Sequence, residues 1–213
     1  VPRIVVQEIL RKSHCLKRRQ YYNPGLNYSW HVDGYNKLMP WGFPIHGCID
    51  CFSRRILWLK VARSNNLPES AWWRNLFQDL EAQHKIDMSS DMSKEYLWYC
   101  FSKLLQEECK TVREHWNTHY IRGSRQNSVR GRPDSLYFLP EYHGTTSNLL
   151  ARVATNEIVC VTQEITLKEH YNQHQEYFEY VRQGLGLALP TTWKEALQFY
   201  ERLIDIADNG YST

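Results

Sequence analysis

Alternating apolar and polar positions dominate the stretch from residue 27 to residue 61. The first run alternates strictly, with apolar side chains at Tyr28, Trp30 and Val32. Two further runs, 43–50 and 55–61, are rich in residues that favour strands. The connections between the runs are short enough for hairpins, so the pattern predicts a three-stranded antiparallel meander.

The spacing changes to a helical one further along the chain. Residues 70–81 are expected to form a helix with Ser70 as its N-cap and one apolar face at Trp73, Leu76, Phe77 and Leu80. A longer helix is expected over about 94–120. Its predicted buried stripe comprises Leu97, Phe101, Leu104, Leu105, Val112 and Trp116.

The last third of the sequence predicts a small helical unit. A short strand-like run at 158–161 is followed by helical patterns around 167–184 and 193–207. The division expected from these patterns is a basic helical lead-in over 1–20, a core over 21–153 and a helical region over 154–213. The chain begins inside a helical pattern at Val1, which suggests a fragment of something longer.

Composition describes a folded protein, since 42% of the 213 residues are hydrophobic. The net charge, 26 basic minus 23 acidic residues or +3, is too small to indicate a polyanionic partner by itself. Basic residues nevertheless cluster at Lys17, Arg18 and Arg19, and at Arg122, Arg125, Arg130 and Arg132. These clusters predict sequence-tolerant contact with nucleic-acid phosphates, and a merely solvated loop is the alternative.

Cysteines and hydropathy bear on the compartment. Six cysteines are mostly far apart and no secretory signal precedes them, so free thiols in a reducing nuclear or cytoplasmic compartment are expected. No apolar run approaches the roughly 20 residues that span a bilayer, so no membrane partner is expected. The tryptophans fall on apolar faces, where core packing is favoured over stacking on bases.

Several segments together resemble a known family. They are YNPGLNYSWHVDGY at 22–35, IHGCIDCFSRRILW at 45–58, WNTHYIR at 116–122 and GRPDSLYFLP at 131–140. They are similar to the integrase core domain of retroviral and transposon-type recombinases. The resemblance implies an RNase H-like fold in which two Asp and one Glu hold two divalent ions, Mg²⁺ or Mn²⁺, for DNA strand transfer. Asp33 corresponds to the first carboxylate.

The sequence departs from the family pattern after the meander. The family carries its second Asp on a fourth strand and its Glu on a later helix, but here Asn66 runs almost directly into Ser70 and the Trp72–Trp73 pair. We therefore expect an α/β fold in which a truncated RNase H-like core, a three-stranded antiparallel meander plus helices, precedes the small helical unit. Both remaining carboxylates would be lost with the deleted segment.

Two histidines near Asp33 could replace the missing carboxylates as metal ligands. A hairpin turn near residue 38 would place His46 opposite His31 on the face of Asp33, which gives a candidate site for one divalent ion. The alternative is two hydrogen-bonded histidines. The same register would put Asp50 beside Asn27, roughly 20 Å from Asp33, and leave it a structural role.

Three other sets of potential metal ligands are expected to have structural or solvated roles. Cys48 and Cys51 have zinc-ligand spacing, but thiols of a strand without a metal are the favoured interpretation. His115 and His119 are four residues apart and are expected to be solvated. Glu69 lies where a helix begins, which suits a capping role.

Three functions follow from these expectations. The first is an integrase-derived DNA-binding protein that is defective in strand transfer, because one carboxylate cannot fix two metals. The second is a domesticated interaction module whose uncovered aromatic surface docks a partner chain or a second copy, giving a homo-oligomer. The third is a shortened isoform of an active metal-dependent recombinase.

Overall fold

The computed structural model describes residues 23–35, 37–62, 71–123, 129–144, 148–150 and 173–209. Within these ranges the fold is mixed α/β, as predicted. The strands are β1 Trp30–Tyr35, β2 Ile45–Asp50 and β3 Ile56–Val61. The helices are α1 Ala71–Ala82, α2 Asp91–Thr118, α3 Pro133–Phe138, α4 Gln173–Gly184 and α5 Trp193–Asn209, with short 3₁₀ turns at Met39–Trp41 and Pro140–His143.

The three strands form one antiparallel sheet in the order β1-β2-β3, which confirms the predicted meander. The predicted register is wrong by three residues. Trp30 pairs with Asp50, and His46 lies opposite Gly34 rather than opposite His31. Register determines which side chains meet, so this shift changes the composition of any site on the sheet.

The connection between β1 and β2 explains the shift. Residues 39–41 form a 3₁₀ turn that closes at Gly42, whose φ of 79° suits glycine. Leu38 before the turn, Trp41 at its last position and Phe43 after it are buried. Because these apolar side chains anchor in the core, the hairpin centres on residue 40 rather than near residue 38.

The main core lies between one face of the sheet and the helices. Phe43 stacks on Phe77 of α1 at 5.3 Å and on Trp98 of α2 at 5.5 Å between ring centroids. The predicted face of α1 is confirmed, since Trp73, Phe77 and Leu80 are buried and Leu76 is partly buried. These aromatic contacts fix α1 and α2 against the start of β2.

Helix α2 confirms only the first part of its predicted stripe. Leu97, Phe101 and Leu105 are buried, whereas Val112 and Trp116 are exposed. The helix has 28 residues and is therefore about 42 Å long, so its last turns extend past the small core. The periodic apolar pattern of a helix does not show at which turn the neighbouring sheet and helices stop covering it.

Helix α2 also closes the outer edge of β3. The carboxamide of Gln106 accepts from the Val61 N–H at 2.9 Å and donates to the Leu59 carbonyl at 3.0 Å. The carboxamide of Asn117 accepts from the Ile56 N–H at 2.8 Å and donates to the Ile56 carbonyl at 3.0 Å. The two side chains are eleven residues apart, about three helical turns, so they lie on one face of the helix.

The two C-terminal helices pack against α2. Tyr99 of α2 contacts Phe178 of α4 and Phe199 of α5, and its hydroxyl donates to Glu179 at 2.6 Å. Hydrogen bonds from Arg182 and then Tyr99 lower the pKa of Glu179 to about 2. The helical unit thus contributes to the same hydrophobic cluster as the sheet. Its predicted boundary at residue 154 lies outside the described residues and stays a prediction.

The opposite face of the sheet carries large apolar side chains in solvent. Val32, Cys48 and Trp58 form one row across the strands, with Trp30 beside it. Cys48 is buried, but Val32 is 64% exposed, Trp30 47% and Trp58 41%. Core packing was the wrong expectation for Trp30 and Trp58, as it was for Trp72 of α1.

Among the helices that the structure describes, none is long and apolar enough to cross a membrane.

Candidate carboxylate site and nucleic-acid interface

Asp33 lies on β1, the edge strand of the sheet, and its side chain is exposed. One carboxylate oxygen, Oδ1, accepts a hydrogen bond from the N–H of Gly34 at 2.8 Å. Strand alternation places His31 on the same face, two residues away, and His31 is also exposed. These two side chains are the part of the predicted divalent-ion site that the strand itself brings together.

His46 does not join them. It lies opposite Gly34, and its neighbour Gly47 lies opposite Asp33. Side chains of directly opposed residues share a face, so His46 projects from the other side of the sheet. The predicted grouping of Asp33, His31 and His46 depended on the wrong register and is not formed.

Asp50 has the structural role that was predicted, although by a different geometry. It is fully buried, and its carboxylate accepts from the Asn27 N–H at 2.8 Å and from both the N–H and hydroxyl of Ser53 at 2.7 Å. The pairing with Trp30 puts Asp50 about 10 Å from Asp33 along the strands, not 20 Å. Asp50 is also on the opposite face, so the two carboxylates cannot share an ion.

The residues present do not fit a pair of divalent ions. Two-metal sites need several carboxylates converging on ions roughly 4 Å apart. Within the described ranges, no group of three or more His, Cys, Asp and Glu side chains is placed to hold a metal. Glu69, the other acidic residue considered, lies outside those ranges. The described residues therefore include Asp33 without the converging carboxylates that the family chemistry requires.

The two cysteines with zinc-ligand spacing lie at the end of β2: Cys48 is in the strand and Cys51 directly follows it. Cys48 and Cys51 are free thiols, as are Cys100 and Cys109. Burial, followed by the charges of Cys51 and Asp50, raises the pKa of Cys48, which makes its thiolate harder to form. Burial likewise raises the pKa of Cys109 to about 12. Free thiols were predicted, and these four confirm it.

Three of the predicted phosphate-binding arginines lie around one loop. Ile121 and Gly131 form an antiparallel bridge with hydrogen bonds of 2.9 and 3.0 Å, so Arg122 and Arg130 come next to it on its two sides. Arg132 follows Gly131. All three arginines are exposed. We call residues 120–123 and 129–132 the arginine loop; Arg125 and the cluster Lys17, Arg18 and Arg19 lie outside the described residues.

The bridge needs glycine at position 131. The φ of Gly131 is 152°, a conformation that disfavours side chains, and an added Cβ would come within 3.1 Å of the buried Leu136. The close approach packs the base of the arginine loop on α3. The spacing of Arg122 and Arg130 is thus fixed by the fold at one end of the loop.

Two further arginines, whose contacts were not predicted, bind the arginine loop and the helix α3 that follows it. Arg54 donates to the carbonyl of Val129, and burial lowers its pKa. Arg55 forms an ion pair with Asp134 at 2.7 Å, and its guanidinium lies over the rings of Tyr137 and Phe138. Both come from the β2–β3 turn. The sequence shows that Arg54 and Arg55 are adjacent, but it does not reveal their partners, which are about 75 residues away along the chain.

Aromatic and imidazole groups at the end of α2 adjoin the arginine loop. Trp116 donates its indole N–H to the carbonyl of Arg54 at 2.8 Å and contacts the ring of His119. The rings of His115 and His119 stack at 6.3 Å between centroids. Tyr120, at the start of the loop, is exposed. This surface combines cationic, imidazole and aromatic side chains, a composition suited to phosphates and bases.

Comparison with known proteins identifies the class of the fold. A family model described as integrase core domain matches residues 20–71 and 69–139, which is more than half of the chain. The chain belongs to the integrase core domain family, an integrase- and transposase-derived group whose members generally bind DNA and depend on divalent metals. A search of curated proteins found no match. A search of solved structures found none either.

Proposed function

We propose that this chain is an integrase-derived protein that binds the DNA backbone through the arginine loop and is defective in strand transfer. The observation that carries the proposal is the bridge at Ile121 and Gly131, which holds the exposed Arg122 and Arg130 beside each other in a family that binds DNA. Bridged strands bring facing residues to about 5 Å. Such a pair of guanidinium groups matches the charge density of a phosphate backbone.

The environment of the arginine loop supports this role. Asp134, the acidic residue nearest in sequence to Arg132, is already paired with Arg55. Arg54 ties Val129 to the β2–β3 turn, so the positive groups are presented from a braced base. A braced base lowers the conformational entropy lost when the arginines bind.

The proposed loss of strand transfer has separate support. The family match is made in two pieces that meet at residues 69–71, next to the predicted deletion between Asn66 and Ser70. A deletion there would remove the strand and helix that carry the other two carboxylates in the family. Asp33 alone provides too few ligands to hold two ions, so Mg²⁺ or Mn²⁺ is proposed to be bound weakly or not at all.

Fluorescence anisotropy with a short labelled duplex tests the proposal. We expect binding that is equal in Mg²⁺ and in EDTA, is independent of sequence and weakens steeply with salt. Substituting Arg122→Ala together with Arg130→Ala should weaken binding and lower the salt slope by about 2. The matched control, Lys103→Ala with Arg202→Ala, removes the same charge from exposed positions elsewhere and should change binding little.

Two results would contradict this. Equal weakening by both double variants would show that only net charge matters and not the arginine loop. Binding that requires Mg²⁺ would show that the protein holds the metal in its DNA complex.

A shortened isoform of an active recombinase is the second candidate, because the two matched family segments overlap at residues 69–71 and no separate stretch of this chain lies between them. Sequencing the transcript and the genomic locus across the codons for Asn66 to Ser70 separates the two. An omitted segment encoding an Asp-bearing strand and a Glu-bearing helix would favour the shortened isoform. A contiguous junction would leave DNA binding as the function.

A further inference from the structure

The bridge at the base of the arginine loop sorts the side chains around it onto two faces. Ile121 and Gly131 exchange both backbone hydrogen bonds, at 2.9 and 3.0 Å, so they form a hydrogen-bonded antiparallel pair. The residues on either side of this pair lie opposite each other as two further pairs, Tyr120 with Arg132 and Arg122 with Arg130. Arg132 has the extended backbone that its pair requires, with φ −84° and ψ 132°. Because successive side chains alternate between faces, these four project from the same side of the ribbon.

The two faces have different surroundings. On the side of Gly131 to which a Cβ would point, the buried Leu136 of α3 packs against the ribbon. On the other side Tyr120 is 57% exposed, and the three arginines are exposed as well. Within the described residues, no carboxylate pairs with these arginines and no hydrogen bond engages the Tyr120 hydroxyl. We call Tyr120, Arg122, Arg130 and Arg132 the ribbon face.

We propose that the ribbon face binds single-stranded DNA, with an unpaired base stacked on Tyr120 and the adjoining phosphates on the arginines. The inference rests on the proposed DNA binding through the arginine loop and assigns the form of DNA that this site takes. Two residues along an extended strand span about 7 Å, so the ring of Tyr120 and the Arg122–Arg130 pair are separated by a length that one nucleotide can bridge.

The tyrosine distinguishes paired from unpaired bases. In a duplex the faces of each base are covered by its stacked neighbours, and a protein meets phosphates and groove edges. An unpaired base exposes its π-face, on which an aromatic ring can stack. Phosphates alone would leave the apolar ring of Tyr120 without an apolar partner, whereas a base supplies one. The arginines therefore explain binding of either form, and Tyr120 adds affinity for single strands alone.

A second aromatic side chain adjoins the arginine loop. Arg54 connects the two, because its carbonyl accepts from the Trp116 indole N–H at 2.8 Å and its guanidinium donates to the Val129 carbonyl. Trp116 is 37% exposed, and its ring lies 5.0 Å from that of His119 between centroids. Its ring is thus held in place at the surface. Exposed aromatic rings next to a row of cationic groups are the combination that binds single strands without reading their sequence.

Fluorescence anisotropy with three labelled probes of equal length tests the assignment: a thymine oligonucleotide, a duplex, and an abasic sugar-phosphate strand. The unaltered chain should bind the abasic strand about tenfold more weakly than the thymine strand. Tyr120→Ala should weaken binding to the thymine strand about tenfold and leave binding to the duplex and the abasic strand within about twofold. Tyr120→Phe keeps the ring and should keep the affinity for the thymine strand. The unfolding midpoint, expected to be unchanged at this exposed position, verifies that the variants are folded.

The results separate this proposal from the one on which it rests. Equal effects of Tyr120→Ala on the thymine strand and the duplex, or no effect on either, would overturn the stacking of a base on Tyr120. An abasic strand bound as tightly as the thymine strand would also overturn it, and this comparison uses the unaltered chain. In these cases DNA binding through the arginine loop stands if Arg122→Ala with Arg130→Ala weakens both forms. A chain that binds neither single strand nor duplex overturns both proposals.

Discussion

The two edges of the sheet are treated in opposite ways. On β3, two carboxamides from α2 satisfy outward backbone groups at Ile56, Leu59 and Val61. β1 is the other edge among the described residues, and its Trp30 and Val32 side chains are exposed. The two edges should therefore respond differently to mutation. Changes at the β3 edge should lower stability, and changes of exposed side chains on β1 should alter it little.

The largest effect is expected where one residue supports both edges. Asp50 holds Asn27, ahead of β1, and Ser53, ahead of β3. Asp50→Ala leaves three buried or partly buried donors without their acceptor and should cost about 3–5 kcal/mol of unfolding free energy. Urea denaturation measures this. Asp50→Asn keeps the shape and one acceptor oxygen, so it should lower the unfolding free energy less than Asp50→Ala does. An unchanged urea midpoint in the alanine variant would show that Asp50 does not stabilise the two edges.

Asn117→Ala should open the β3 edge at Ile56. The side chain is buried and makes two hydrogen bonds to one residue, so we expect a loss of about 2 kcal/mol. Thr118→Ala, the exposed neighbour on the same helix, is the control and should change stability by less than about 0.5 kcal/mol. Equal effects of the two variants would mean that the β3 edge does not depend on this carboxamide.

Gln106→Ala should have a smaller effect, about 1 kcal/mol, because the side chain is only partly buried and water can replace it. Hydrogen exchange at the Val61 amide is the sensitive readout and should accelerate. Gln106→Glu keeps the acceptor for Val61 but not the donor for Leu59, so it should protect the amide better than alanine does. Exchange at Val61 that is unchanged in both variants would contradict the proposed edge closure.

Asp33→Asn tests the exposed strand β1 and should change the free energy of unfolding by no more than about 0.5 kcal/mol. The asparagine oxygen can still accept from the Gly34 N–H, and the side chain is exposed. Thermal unfolding of the two proteins gives the comparison. A loss as large as that expected for Asn117→Ala would make Asp33 a structural residue rather than a remnant of a carboxylate site.

The contrast between the edges also marks how far the sequence could predict the structure. Alternation at Tyr28, Trp30 and Val32 predicted the strand, but alternation does not reveal which face is covered. The predicted register was wrong because Leu38, just before the β1–β2 turn, and Trp41, within it, are buried in the core, and a tertiary contact of this kind has no local sequence signature. The carboxamides of Gln106 and Asn117 close an edge through contacts more than 40 residues apart.

In the candidate site, too, local sequence motifs could be identified, whereas long-range contacts could not be predicted. Asp33 and the exposed arginines could be proposed as site residues from the sequence because family segments surround them, and their roles stay predictions. The failure of His46 to join Asp33 followed from the register, and the bracing by Arg54 and Arg55 depended on contacts with Val129 and Asp134. Sequence motifs supplied the chemistry, and long-range packing decided which groups meet.

The central claim, DNA binding without strand transfer, is tested most directly by incubating the protein with supercoiled plasmid and Mn²⁺. At protein concentrations that retard the plasmid in a gel, we predict that the DNA stays supercoiled, because the described residues place no group of metal ligands around Asp33 to align a nucleophile. Nicking that depends on Mn²⁺ and is abolished by Asp33→Asn would contradict the account and show that a functional metal site is completed elsewhere in the chain.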